Sequence, residues 1–322
     1  MALLISEEEV KALLPMNAAL EAIEECFRRM GEGRAKVQMR HRLELPEKGF
    51  LHYMAAADSA SGYMGMKIYT SVAGSLRFMV PLYRAASGEL LALIEANHLG
   101  QIRTGAATGV ATKYMAKSDA KTVGIIGTGF QARTQLEAIA GVRNLLQVRC
   151  YGRDKARREA FAREMTERLR VPVEAVESGE AAVRDAEIAV TSTSSSRPVL
   201  LGAWLSPGTH INAIGANFPQ KRELDEEAVT RAGIIVADSR EQSKQEAGDL
   251  IHVLGSDPGR WANVKEISDI VIGLAPGRTS ERQITLFKSN GIASEDIAVA
   301  GKVYEAALKS GAGKRIEMWG EN

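Results

Sequence analysis

Short apolar runs without polar alternation recur along the second half of the chain, each followed by a stretch of helical period. "TVGIIG" precedes "ARTQLEAIAGV", "LQVRCYG" precedes "DKARREAFAREMTERL", and a run near "PVEAV" precedes "SGEAAVRDA". "EIAVTSTS", "THINAIGA", "DEEAVTRA" and "GIIVAD" continue the series. Runs of this kind fit strands buried on both faces. Their alternation with helices predicts βαβ units and a Rossmann-type doubly wound parallel sheet. The first third of the chain reads differently. "ISEEEVKALLPMNAALEAIEECFRRMGEG" is helix, break, helix: Ser6 and Glu9 form a capping box, and Gly31 and Gly33 end the second helix. From Lys36 to Leu93 strands dominate, in "VQMRHRLEL", "GFLHYMAA", "YMGMKIYTSV" and "FMVPLYRAASGELLALIE", where "AASGEL" is a hairpin turn. "IRTGAATGVATKYMA" is a helix of small residues suited to close packing. The pattern therefore predicts an α/β protein of two domains. A Rossmann domain spans 120–300, and a second, α+β domain spans 1–119 plus 301–322, with the final helix "EDIAVAGKVYEAALKSGAG" returning to it.

Composition narrows the function more by exclusion than by assignment. The 322 residues carry 41 basic and 40 acidic side chains, a net charge of +1, so no nucleic acid or anionic membrane is expected as a partner. "MALLISEEEVKALL" is too acidic for a signal peptide, and no apolar run is long enough to span a membrane. Cys26 and Cys150 stand far apart, which excludes a disulfide framework and fits a cytoplasmic protein. Neither they nor the five histidines have metal-ligand spacing, so no metal is expected.

The turn Gly127-Thr128-Gly129-Phe130-Gln131-Ala132 follows a predicted strand and opens a predicted helix. In that context the G-x-G-x-x-A spacing is a dinucleotide signature. Gly127 allows the tight turn, Gly129 lets backbone approach a pyrophosphate, and Ala132 permits close helix–strand packing. Free N–H groups at the helix start then face the phosphates. An NAD site usually has Asp or Glu at the end of the second strand, on the ribose 2′-OH. Here "LQVRCYGRDKAR" places Gly152 there, followed by Arg153 and, one helical turn on, Arg157. Arginine clamps a 2′-phosphate that a carboxylate would repel. NADP(H) is the favoured cofactor, with NAD(H) the alternative; Asp154 reads as the N-cap of the next helix.

"GMKIYT", "IRTGAATGVATKYMA", "VGIIGTGFQARTQLEAI", "GTHINAIGANFPQKRELD" and "QITLFKSNGIASEDIAVAGKVYEAA" together resemble the ornithine cyclodeaminase/μ-crystallin family, which includes archaeal-type alanine dehydrogenases and ketimine reductases. The resemblance implies a Rossmann domain, a substrate domain whose strands build a homodimer, and a nicotinamide bound with the substrate at the domain cleft. It makes Lys67 the substrate lysine and Arg103 the arginine that holds the substrate carboxylate. Arg40 becomes a second carboxylate-binding arginine, with Arg42 on the same strand as the alternative. It further implies a phosphate contact from Thr104, a cofactor-bordering loop at Thr191, Ser192 and Thr193, and a segment at Ser289 and Gly291 that closes over the nicotinamide. At one position the chain departs from the cyclodeaminases: Asn217 stands where they carry Asp.

A carboxylate there binds a second amine and takes its proton, which an amide cannot do. Asn217 thus argues against ornithine cyclodeamination and leaves hydride transfer untouched. The expected activity is an NAD(P)H-dependent transfer of hydride between nicotinamide and the Cα of a small L-amino acid, formed from keto acid and amine, or its imine. The alternatives are the ammonia-releasing cyclodeaminase and a non-catalytic, NADPH-dependent ligand binder of the μ-crystallin type. Near two guanidinium groups in a closed cleft, Lys67 is expected to have a lowered pKa and to shuttle a proton. Asp296, in "ASEDIA", reads as a helix N-terminal charge.

Overall fold

The computed structural model describes residues 1–46 and 49–318; residues 319–322, at the end of the expected 301–322 segment, lie outside the described residues. The Ser6 hydroxyl caps the helix Glu7–Leu13, and the Glu9 carboxylate reaches back to the Ser6 amide at 2.8 Å, so the capping box forms as the spacing predicts. In chain order the strands are β1 (Ala2–Ile5), β2 (Ala35–Leu45), β3 (Gly49–Asp58), β4 (Tyr63–Val72), β5 (Ser75–Arg84) and β6 (Leu90–Glu95). They continue with β7 (Thr122–Ile126), β8 (Gln147–Tyr151), β9 (Val173–Ala175), β10 (Ile188–Thr191) and β11 (His210–Ala213). The last four are β12 (Ile234–Ala237), β13 (Lys265–Glu266), β14 (Thr285–Lys288) and β15 (Lys314–Ile316).

The chain divides into two units, one of Met1–Arg103 with Gly291–Asn322, the other of Thr104–Asn290. In the first, seven strands form a mixed sheet in the order β15-β1-β6-β5-β4-β3-β2. β2 to β6 is an antiparallel meander, and β1 adds parallel to β6. β1 and β15 are absent from the sequence reading; segments of three and four residues show no strand period of their own and are strands only by pairing with residues far along the chain. Three helices cover one face. Met16–Gly31 buries Ala19, Ile23, Cys26 and Phe27, the i, i+4, i+7, i+8 stripe of an amphipathic helix. Ala293–Ser310 lies on β2 to β5 and against Met16–Gly31.

The second unit is an eight-stranded sheet, β13-β12-β14-β11-β10-β7-β8-β9, with every pairing parallel. Apolar clusters lie on both sides of it, around Phe161 and Leu136 on one and around Leu250 and Leu286 on the other, which is why its strands read as unbroken apolar runs. The strand order reverses between β7 and β10, and ligands of doubly wound sheets bind at the carboxyl ends of strands at such a point. Four short helices between Arg240 and Val271 went unpredicted, each too short to show a helical period. Among the described residues no helix is long and apolar enough to cross a membrane.

Candidate active site

In the first unit β4 presents Tyr63, Gly65 and Lys67 to the helix Ala293–Ser310, the period-two alternation of a strand against one helix face. Gly65 makes the contact close: a Cβ there would lie 2.8 Å from Ile297 and 2.4 Å from the Pro81 carbonyl. Gly301 likewise lies against the Tyr63 ring. This approach carries Asp296, in the first turn of the helix, onto Lys67, two residues beyond Gly65 on the same strand face. Lys67 Nζ donates to Asp296 Oδ1 at 2.8 Å, and Arg103 Nε donates to the same oxygen at 3.1 Å. Arg103 Nη1 pairs with Glu295 at 2.8 Å. Arg40 Nη2 donates to the Gly291 carbonyl at 2.9 Å, and the Arg103 guanidinium lies against Gly291, whose φ of +76° suits glycine.

Lys67, Arg103 and Arg40 are thus brought to one place by four segments, and all three are buried. Arg40 sits within the β2 segment where the register shifts between Gln38 and His41. That bulge breaks the simple alternation with Arg42, which lies opposite His52 in the register. Three cations against two carboxylates give these five side chains a net formal charge of plus one. Burial pushes the Lys67 ammonium down to about 8; Asp296 opposes the shift, and Arg103 and Arg40 add to it. Asp296 is raised by burial but held below the usual carboxylate range by Arg103 and Lys67. The arrangement offers a proton carrier that titrates near neutral pH beside guanidinium groups suited to a carboxylate.

Asp296 is a site residue that the sequence reading assigned otherwise. It does lie in the helix's first turn, but its fully buried carboxylate bridges Lys67 and Arg103 rather than serving only as a helix-end charge. Gly100 is another. On the helix Asn97–Met115, which begins five residues before the predicted "IRTG" start, a Cβ at Gly100 would lie 2.8 Å from Lys67 Nζ. Gly100→Ala should therefore leave the melting temperature unchanged or higher, since alanine is favoured over glycine in a helix by about 1 kcal/mol. Its methyl displaces the ammonium, and turnover should fall roughly ten- to a hundredfold. Thermal unfolding and steady-state kinetics on one preparation read both.

In the second unit the turn after β7 meets the loop after β10. Gly127, at φ +111°, has no room for a side chain: a Cβ would lie 2.2 Å from the Ser192 carbonyl. Gly129 is the opposite case. It has an ordinary extended backbone, and a Cβ there would meet nothing within 4 Å. Neither strain nor packing within the unit requires this glycine, whereas backbone approach by a ligand would. Gly129 is the N-cap of the 13-residue helix Phe130–Val142 and offers no side-chain cap bond, so the positive end of the helix dipole points out of this turn. The buried Gln131 Oε1 has no hydrogen-bond partner among the described residues. These features fit a dinucleotide.

Ala132 is fully buried beneath the turn, as close helix–strand packing requires. Thr128 packs on Gly152, where a Cβ would lie 2.5 Å from its hydroxyl oxygen. That contact requires glycine directly after β8 and leaves no place for an acidic side chain. Arg153 and Arg157 are exposed just beyond, with Arg157 Nε 3.7 Å from Asp154. Buried Thr104 adjoins Gly105, whose Cβ would lie 2.3 Å from the Thr134 carbonyl, so its helix passes close to the first turns of Phe130–Val142.

Glu223, in "KRELD", was also missed. Fully buried, it accepts from the Thr191 hydroxyl at 2.9 Å, the Thr193 amide at 2.5 Å and the Gly215 amide at 2.7 Å. It thereby staples the Thr191–Thr193 loop to the loop carrying half-buried Asn217. Ser289 Oγ and the Asn290 amide both donate to Asp238, fixing the segment that ends at Gly291.

Residues 2–311 match the model of the ornithine cyclodeaminase/mu-crystallin family. The chain is 36% identical over 325 residues to an alanine dehydrogenase of Archaeoglobus fulgidus, covering 98% of each. The Thermococcus litoralis Delta(1)-pyrroline-2-carboxylate reductase, solved in complex with NADH and L-proline, matches with a TM-score of 0.92 at 36% identity, over 98% of this chain and 100% of that one. An archaeal alanine dehydrogenase dimer with bound NAD matches with a TM-score of 0.92 at 35% identity, over 99% of each chain.

Proposed function

Since the chain belongs to the ornithine cyclodeaminase/mu-crystallin family, we propose that it is a nicotinamide-dependent oxidoreductase acting at the Cα of a small L-amino acid or its imine. The observation that carries this reading is the buried Lys67, whose ammonium donates to the same Asp296 oxygen as the buried Arg103 guanidinium. When bound, the nicotinamide supplies a hydride to the imine carbon or takes one from Cα. Arg103 and Arg40 hold the substrate carboxylate, which fixes Cα; Arg40 is favoured over Arg42 because it is buried and tied to Gly291. Lys67 gives a proton to the substrate nitrogen in reduction and takes it back in oxidation. Reduction needs the charged lysine, so its rate should fall as pH rises through about 8, while oxidation should rise over the same range. A panel of amino acids, and of keto acids with amines, assayed with both cofactors tests the reading. Absence of any change in nicotinamide absorbance would overturn it. Asn217 carries no carboxylate for a second amine, so ornithine cyclodeamination is not proposed.

For the cofactor, the Gly127–Ala132 turn with Thr104, Thr191, Ser192 and Thr193 would hold the pyrophosphate side, and Ser289 and Gly291 the nicotinamide side. Gly152, Arg153 and Arg157 favour NADP(H). Arg153→Glu should raise the KM for NADPH roughly tenfold or more and leave that for NADH nearly unchanged. An unchanged NADPH KM would remove the 2′-phosphate role.

The face of β2 to β5 away from the helices supports a homodimer. Ala55, Ala57, Met64, Met66 and Tyr83 line an apolar depression of about 570 Å³ there. Free, buried Cys26 and Cys150 agree with a cytoplasmic setting.

A further inference from the structure

Lys67 and Arg103 do not merely lie near Asp296; both donate to one atom of it, Oδ1. The other oxygen, Oδ2, is buried without a hydrogen-bond partner among the described residues. A carboxylate placed only to neutralise two cations would gain by giving each its own oxygen, and an unsatisfied buried acceptor is costly. The arrangement instead fixes the two donors relative to each other through a single point. Gly100 and Gly65 make it possible, one by leaving room for the ammonium and the other by letting the helix Ala293–Ser310 reach β4.

We infer that Asp296 is the positioning residue of this site: through Oδ1 it sets where the Lys67 ammonium stands relative to the Arg103 guanidinium, and it keeps that lysine charged. The inference rests on the proposed hydride-transfer reading for its kinetic consequences, but not for the link itself. The charged groups acting on Lys67 are Asp296 from the C-terminal helix, Arg103 from the helix Asn97–Met115, and Arg40 from β2, while Glu295 pairs with Arg103. Removing the Asp296 charge leaves burial and two guanidinium groups acting in one direction, both lowering the lysine pKa.

Two readouts separate failure of the link from failure of the function. In protein labelled with 13C at lysine Cε, the Lys67 resonance, assigned by its loss in Lys67→Met, is titrated by NMR without substrate. Its midpoint should lie near 8 in the wild type and fall by roughly one to three pH units in Asp296→Asn. Asp296→Glu, which keeps the charge, should retain a midpoint near 8 yet lose turnover, because one extra methylene moves both donors. In the reductive assay Asp296→Asn should bring the high-pH limb down with the NMR midpoint and cut kcat at pH 8 by at least about fivefold. A wild-type midpoint in Asp296→Asn overturns the inference whether or not any substrate turns over. If Asp296→Asn fails to fold, wild-type kcat in Asp296→Glu overturns it instead. A shifted midpoint in a protein that reduces no imine upholds the link and sinks the hydride-transfer reading alone.

Discussion

Lys67→Met is expected to lower kcat for imine reduction by roughly 10²–10⁴-fold, the range a positioned acid–base group contributes. Methionine matches the lysine stem in length and leaves no hole beside Met54, its cross-strand neighbour. Stability should hardly change. The variant removes a buried cation whose desolvation cost offsets much of its ion pair, and Asp296 keeps its bond from Arg103. Cofactor affinity should also stay as in the wild type, since the residues proposed to bind the nucleotide lie elsewhere in the chain. The pH dependence decides between a chemical and a supporting role: in Lys67→Met the decline through about 8 should vanish along with the rate. Single-turnover mixing with NADPH measures this directly. A variant that reduces imine at the wild-type rate removes Lys67 from the mechanism.

Arg103→Met should cost both binding and stability, and more stability than any other change proposed. The guanidinium stands between two fully buried carboxylates, Glu295 and Asp296. Taking one partner from a buried ion pair typically costs about 3–5 kcal/mol, because a charge is left without compensation. The sign of the pH effect follows. In the wild type Arg103 holds Asp296 in its charged form, so stability is present at neutral pH and lost as acid protonates that carboxylate. Without Arg103 the charged carboxylate is the liability, so the gap to wild type should narrow as pH falls. Substrate KM should rise by roughly a hundredfold, a buried charge pair to the carboxylate being worth about 2–5 kcal/mol when one side is truncated. Denaturant melts at two pH values and KM for one amino acid check both. A variant with unchanged KM would remove Arg103 as the carboxylate clamp.

What the sequence made legible is what short-range physics determines. Ser6 and Glu9 need only each other to form their box, and the run from Thr122 to Ile126 announces a strand buried on both sides. The glycine turn is local too: Gly127 must be glycine because of its φ and the Ser192 carbonyl. Lys67 and Arg103 were named by their motifs, and the structure brings them onto one oxygen. Asp296 was illegible as their partner because an acid in a first helical turn has a sufficient local explanation. Its other role depends on Gly65 and Gly100, glycines in a strand and in a helix that carry no turn signal. Their meaning is a tertiary one, the absence of a side chain against Ile297 and Lys67. Glu223 was missed for the same reason: three of its donors lie on two loops that only the parallel sheet places side by side.

The central claim, hydride transfer to Cα without loss of ammonia, is tested most directly by following the hydrogen itself. NADPH carrying deuterium at both C4 positions is incubated with the protein and with either a cyclic imino acid or pyruvate and ammonia, and the product is examined by mass spectrometry and NMR. One deuterium at Cα of an L-amino acid, with one NADPH oxidised per product, is the predicted result. Release of ammonia from ornithine with no net change in the nicotinamide, and no deuterium at Cα with any imine, would contradict it.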